Sequence, residues 1–255
     1  MVGLTIKEIG VKLKQAGRLE TTPLCIHGSE SIPENGVPIK ELNRCIANAI
    51  FNLSIREDIH AIYIGNDMLE GCCPGGQAWF GYKSFVPQLK YFISTGSKDF
   101  RGGAAEFLLV NPDRAEHQLK TVGKITPLGK YTVIQKSDSI DGEGINVKAF
   151  LCFGYSEQIR NLCSLAYFQP ENGFLVKMPW GPSCASFVTY PTGLANEPKK
   201  SIIIGPTDPT GNYWFPQNFL SLGIPIETAE RMANDLDSSF IKKRPEVAYP
   251  IKRNL

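Results

Sequence analysis

Apolar residues near the start of the chain fall at Ile6, Ile9, Gly10, Leu13, Ala16 and Gly17. That spacing marks one helix face, so an amphipathic helix is predicted over residues 6–19, with Gly17 as its stop. Residues 22–27 read as a short extended piece, and residues 28–38, rich in Gly, Pro, Ser and Glu, as a loop. Over residues 39–53 the positions Leu42, Cys45, Ile46, Ala49, Ile50 and Leu53 share one face, which predicts a single helix with Cys45 on its buried side. Residues 61–65 are a short apolar run of the interior-strand kind. They lead through Asn66-Asp67-Met68 into a loop, Cys72-Cys73-Pro74-Gly75-Gly76. A helix is expected over 85–94 and a loop over 96–103. Residues 104–110 are apolar without a deciding period, a break falls at Asn111-Pro112-Asp113, and a helical turn or two is expected over 113–119. Residues 131–135 have strand character.

The second half repeats the alternation. Residues 146–154 predict a strand, followed by a helix over 156–168 with Ser156 as N-cap and Ile159, Leu162, Cys163 and Ala166 inward. Residues 182–188 read as a loop entering a helix or short strand, 201–205 as a strand, and 207–211 as a turn. A helix over 226–236 begins at Pro225. Strands alternating with helices imply an α/β or α+β architecture, a mixed β-sheet with flanking helices. A chain of 255 residues suits one domain. Two closely packed halves, about 1–125 and 126–255, are the alternative.

Composition narrows the class. With 42% hydrophobic and 20% charged residues, the chain is neither disordered nor a coiled coil. A net charge of +2 with scattered cations lacks the basic stripe that phosphate contacts need, so no nucleic-acid partner is expected. The basic cluster Lys242-Lys243-Arg244, with Lys252 and Arg253 beyond it, reads as a solvated tail. No run approaches the ~20 apolar residues of a membrane span, and the first residues lack the zones of a signal peptide. The expectation is a cytoplasmic protein with no membrane partner. Its seven cysteines are then thiols or metal ligands rather than a disulfide framework.

The Cys-Pro-Gly-Gly run is the most informative chemistry. Glycines allow close backbone approach, and the N–H groups of Gly75 and Gly76 could face an anion or stabilise a thiolate. Cys73 is therefore a candidate nucleophile. The alternative is a plain glycine turn with cysteines buried as small hydrophobes. Cys45, Cys72, Cys73 and Cys184 are candidate ligands for zinc or an iron–sulfur cluster, although no two-residue Cys spacing occurs. Cys152 and Cys163 fall on core positions, and Cys25 is unassigned. His27, His60 and His117 stand at no spacing that selects a catalytic pair. Phosphate-loop, dinucleotide, serine-elbow and zinc-protease motifs are missing from the sequence. Trp79, Phe80, Tyr82, Trp180, Tyr213, Trp214 and Phe215 lie beside glycines and prolines and could line a pocket for a planar ligand, with packing under loops as the alternative. Asp208 is a turn-former or a polar contact of such a pocket.

The order of these pieces resembles the domain-of-unknown-function 169 family of bacteria and archaea. The matching features are the helix bearing Cys45, the run from Cys73 through Trp79 and Phe80 to Gly81, and the strand–helix unit over 149–166. Pro182-Ser183-Cys184-Ala185 and Leu222-Gly223-Ile224-Pro225 follow. The likeness runs from about residue 19 to 236 and implies a shared site at Cys45, Cys73 and Cys184, with no assigned reaction. Members also carry a cysteine near residues 201–205, where this chain has Ile204-Gly205-Pro206, so a four-thiolate cluster would need Cys72 as substitute. Three functions remain. A small molecule or anion bound beside the loop, by Gly75, Gly76 and Trp79, ranks first. A cysteine-liganded metal protein is second and a thiol-dependent enzyme third. Oligomeric state is not readable.

Overall fold

The computed structural model describes residues 3–140, 144–170, 173–195 and 201–244. Eight strands form one mixed sheet: β1 (Leu24–Ser29), β2 (Val37–Pro38), β3 (Ala61–Gly65), β4 (Tyr131–Lys136), β5 (Val147–Tyr155), β6 (Val176–Lys177), β7 (Ile202–Gly205) and β8 (Phe219–Pro225). Their spatial order is β2-β3-β4-β1-β5-β8-β7-β6. This order is a repeat reflected through its centre. Outward from the antiparallel β1–β5 pair, each side runs antiparallel, antiparallel, then parallel, so β1–β4 and β5–β8 are topological equivalents.

Helices cover both faces, as expected for strands whose side chains are buried in either direction. Along β5 the alternation is explicit from Ala149 onward: Ala149, Leu151 and Phe153 join one core cluster, while Phe150 and Cys152 join the other. The second cluster takes the apolar faces of α1 (Ile6–Gly17), α7 (Ser156–Ala166) and α8 (Ile226–Asp235), which pack against one another. The first takes α3 (Ile46–Ile55) and a π-helical turn, Ala185–Thr189. These two elements are also equivalents, α3 lying between β2 and β3 and the π turn between β6 and β7. Phe153, fully buried, meets Phe51 edge-on at 5.2 Å and Phe187 at 5.0 Å, so rings from both halves interlock.

Several expectations need correction. The helix expected over 39–53 is two, α2 (Ile39–Leu42) and α3. Asn43 is extended, and its side-chain oxygen accepts the Cys45 N–H at 2.8 Å, a local bond that competes with the helical ladder. The cysteine loop is the entry to a helix, α4 (Pro74–Trp79), with Pro74 in the first turn, where a missing N–H costs nothing. Of the helix expected over 85–94, only α5 (Leu89–Phe92) forms. The break at Asn111-Pro112 is a cap: Asn111 Oδ1 accepts the Arg114 N–H at 2.9 Å and starts α6 (Pro112–Val122). The N-cap of α7 is Tyr155, with Ser156 already helical. A last short helix, α9 (Phe240–Lys243), carries Lys242 and Lys243, while Lys252 and Arg253 lie outside the described residues. No helix among the described residues is long and apolar enough to cross a membrane.

Candidate functional site

Three cysteines reach the site from the starts of three elements. Cys45 and Cys184 precede the equivalent helical pieces of the two halves, and each stands seven residues beyond the end of its preceding strand, β2 or β6. Cys73 is the N-cap of α4, and its amide donates to the Arg44 carbonyl at 2.9 Å, which fixes α4 beside the start of α3. Cys45 and Cys73 are half-buried and Cys184 is buried.

The Cys73 sulfur sits among donors. Hydrogen bonding from the Cys45 thiol is the main influence, and the backbone N–H groups of Ile46 and Gly76 add to it. Together they outweigh burial and bring Cys73 down from the ordinary thiol value to about 6, which favours its thiolate form. The same bond holds the proton on Cys45 and pushes it upward, reinforced by burial and by Cys184. Cys184 is pushed well up, by burial first and by Cys73 second, although the Ala47 N–H faces it. Gly76 is required by this packing. A Cβ there would come within 2.6 Å of Ile46 Cδ1 and 3.0 Å of Cys73 Sγ.

These groups border a cavity of about 230 Å³. Trp79 and Trp180 contribute aromatic walls, and Leu89, Phe92, Ile93 and Leu108 an apolar roof. The roof segment folds back along α5, where Glu106 N–H donates to Phe92 O at 2.8 Å and Leu108 N–H to Ile93 O at 3.1 Å. It brings in Glu106 opposite Asp208, with Arg101 nearby, its guanidinium 4.3 Å from the Phe92 ring centre. Burial, then the Asp208 charge, lifts Glu106 to about 7 against the pull of Arg101. Asp208 does both jobs considered for it. It lines the cavity, and its Oδ1 accepts the Gly211 N–H at 2.9 Å and the Thr210 hydroxyl at 3.0 Å, closing the turn. Asn212 bonds to Ser183 and to the Asp208 carbonyl, tying that turn to the Cys184 segment. The site thus offers a thiolate, two thiols, a carboxylic acid that titrates near neutrality, a carboxylate, a guanidinium and aromatic walls.

Of the residues singled out in the sequence, Cys45, Cys73, Gly75, Gly76, Trp79 and Cys184 line this one cavity. Cys72 does not. It is buried beneath, with its sulfur facing the Met68 carbonyl at 3.9 Å, and burial raises it. Among the described residues no three His, Cys, Asp or Glu side chains are grouped so as to hold a metal ion. Cys25, Cys152 and Cys163 pack in the second core cluster, away from the cavity. Trp180 joins Trp79 in the wall, whereas Phe80 and Phe215 are core, the Tyr82 hydroxyl donates to Ile64 O at 3.0 Å, and Tyr213 is 91% exposed. Arg101 and Glu106 were not anticipated. Their one signal was the Gly102-Gly103 break beside them.

No curated protein and no solved structure matches this chain. A family model described as DUF169, uncharacterised ArCR, matches residues 12–235. With most of its length covered by that match, the chain belongs to the DUF169 family.

Proposed function

We propose that the chain binds a small organic molecule in the cavity beside Cys73 and engages it through the Cys73 thiolate. The observation that carries this reading is the convergence of the Ile46 N–H, the Gly76 N–H and the Cys45 thiol on one sulfur that borders a partly open, largely apolar space. A thiol kept only for packing has no use for such donors. Cys152, fully buried in the second core cluster, is raised by burial to about 12 and is inert by comparison. The indole walls suit a ligand with a planar or apolar part, and Arg101 and Asp208 can orient its polar groups. A thiolate in such a place forms bonds to soft electrophiles, carbon or sulfur.

The test is alkylation by iodoacetamide between pH 5 and 9 with the modified residue mapped by mass spectrometry, beside a thermal-shift screen of metabolites. Cys73 is expected to react first, at a rate that rises through about pH 6 and is level above neutrality, where a free thiol titrates near about 8.5. A ligand from the screen is expected to protect it. If Cys73 follows the free-thiol profile and no compound either stabilises the protein or shields that residue, the reading fails.

A further inference from the structure

We propose that Cys45 is the resolving partner of Cys73, and that the pair reduces small organic disulfides. This rests on the reading of Cys73 as the group that engages a small molecule, and it names the substrate class.

The two residues are placed for a bond between their sulfurs. Their Cα atoms are separated only by the hydrogen bond from Cys73 N–H to Arg44 O and by the peptide unit joining Arg44 to Cys45. That path makes the two residues close neighbours, as a disulfide requires of its Cα atoms. Both are N-caps with extended backbones, φ −79°, ψ 112° for Cys45 and φ −63°, ψ 134° for Cys73, so neither side chain is confined by a preceding helical turn. The two thiols influence each other's protonation, and both line the cavity, so a disulfide reaching Cys73 also comes within reach of Cys45.

The steps balance with the disulfide as the only oxidant. The Cys73 thiolate attacks one sulfur of RS–SR, forming a mixed disulfide on Cys73 and expelling RS⁻. Cys45 gives its proton to the departing RS⁻. The resulting Cys45 thiolate attacks Cys73 Sγ, breaks the mixed disulfide and expels the second RS⁻. Two protein sulfurs are oxidised to a Cys45–Cys73 disulfide, and one organic disulfide is reduced to two thiols. An external dithiol restores the pair.

Cys184 is the competing resolver. It borders the same cavity, but no backbone bond joins it to Cys73, and its sulfur is buried against the Ala47 amide from the other half of the sheet.

The experiment exposes the reduced full-length chain to bis(2-hydroxyethyl) disulfide, quenches with acid, blocks free thiols and maps the cysteines. The wild type is expected to lose two hydrogens, to carry a Cys45–Cys73 link and to release two equivalents of 2-mercaptoethanol. Cys45→Ser is expected to stop at the mixed disulfide on Cys73 with one equivalent released, and Cys184→Ala still to form the Cys45–Cys73 link. The wild-type map needs no variant to fold. A stable mixed disulfide on wild-type Cys73, or a Cys73–Cys184 link, overturns the role of Cys45 while leaving Cys73 as the reactive group. A Cys73 that reacts with neither this disulfide nor iodoacetamide overturns both readings.

Discussion

Thr189 Oγ1 donates to the Trp79 carbonyl across 2.5 Å, joining the end of α4 to the π turn of the opposite half. The last carbonyls of a helix have no partner within it, and Trp79 is only 2% exposed, so water is a poor substitute. The hydrogen bond therefore keeps the helix that begins at Cys73 seated against the element that begins after Cys184.

Thr189→Val preserves the shape of this contact and removes the donor. It is expected to cost about 1–3 kcal/mol, the range for leaving a buried acceptor unpaired. Thr189→Ser is expected to retain most of the stability. Urea unfolding of the three proteins checks it, and a valine variant as stable as wild type rules the contact out as a tether.

Adjacent glycines are expected to respond differently to the same methyl group. A Cβ on Gly75 meets nothing within 4 Å, and alanine is favoured over glycine in a helix by about 0.5–1 kcal/mol, so Gly75→Ala folds as well as wild type. Because Gly75 lines the cavity, that variant is expected to weaken ligand protection of Cys73. Gly76→Ala forces Ile46 and the Cys73 sulfur to move and is expected to destabilise by about 1–3 kcal/mol. It is also expected to shift the alkylation midpoint of Cys73 upward, since the donor geometry is disturbed. Unfolding curves and alkylation profiles on both variants separate the two effects.

Glu106 carries a pH dependence of stated sign. Its value in the folded chain is raised from 4.5 to about 7, so its contribution to stability is complete below about pH 4.5 and is lost as pH rises through about 7. Glu106→Gln removes that loss. The variant's Tm is expected to exceed that of wild type at pH 8, by an amount on the order of a few degrees, and the gap is expected to close by pH 5. Scanning calorimetry at the two pH values decides it. An equal difference at both would mean that the carboxyl does not titrate in this range.

The strands with strong apolar runs were legible, and so were the helices with a clean 3.6-residue period. What escaped did so for local reasons. β2 and β6 are two residues long, too short to show a period. β8 contains Gly223 and ends at Pro225, punctuation that reads as a loop. Yet Gly223 is there because Pro191 packs so close that a Cβ would fall 2.1 Å from it. The apolar period runs unbroken through Asn43, which hid the gap between α2 and α3 and with it the position of Cys45 as a cap. At the site, the three cysteines were gathered by the family resemblance, since their spacing along the chain does not join them. Arg101 and Glu106 were not. Their segment has left-handed backbone at Arg101, Gly102, Gly103 and Phe107, and only one irregular 3-10 turn, Arg101–Gly103, from which to project a side chain.

The mirrored strand order has a consequence for how the site can diversify. Each half lends a cysteine at the same place in its frame, but the connections from the third strand to the fourth are unequal, residues 66–130 in one half and 206–218 in the other. The long excursion alone provides Arg101, Glu106 and Leu108 overhead. The excursion thus carries the reactive Cys73 on α4 as well as the residues overhead, while the sheet frame supplies Cys45 and Cys184. Exchanging residues 101–108 alone would change what the pocket admits while Cys73, at the start of α4, and Cys45 stay as they are.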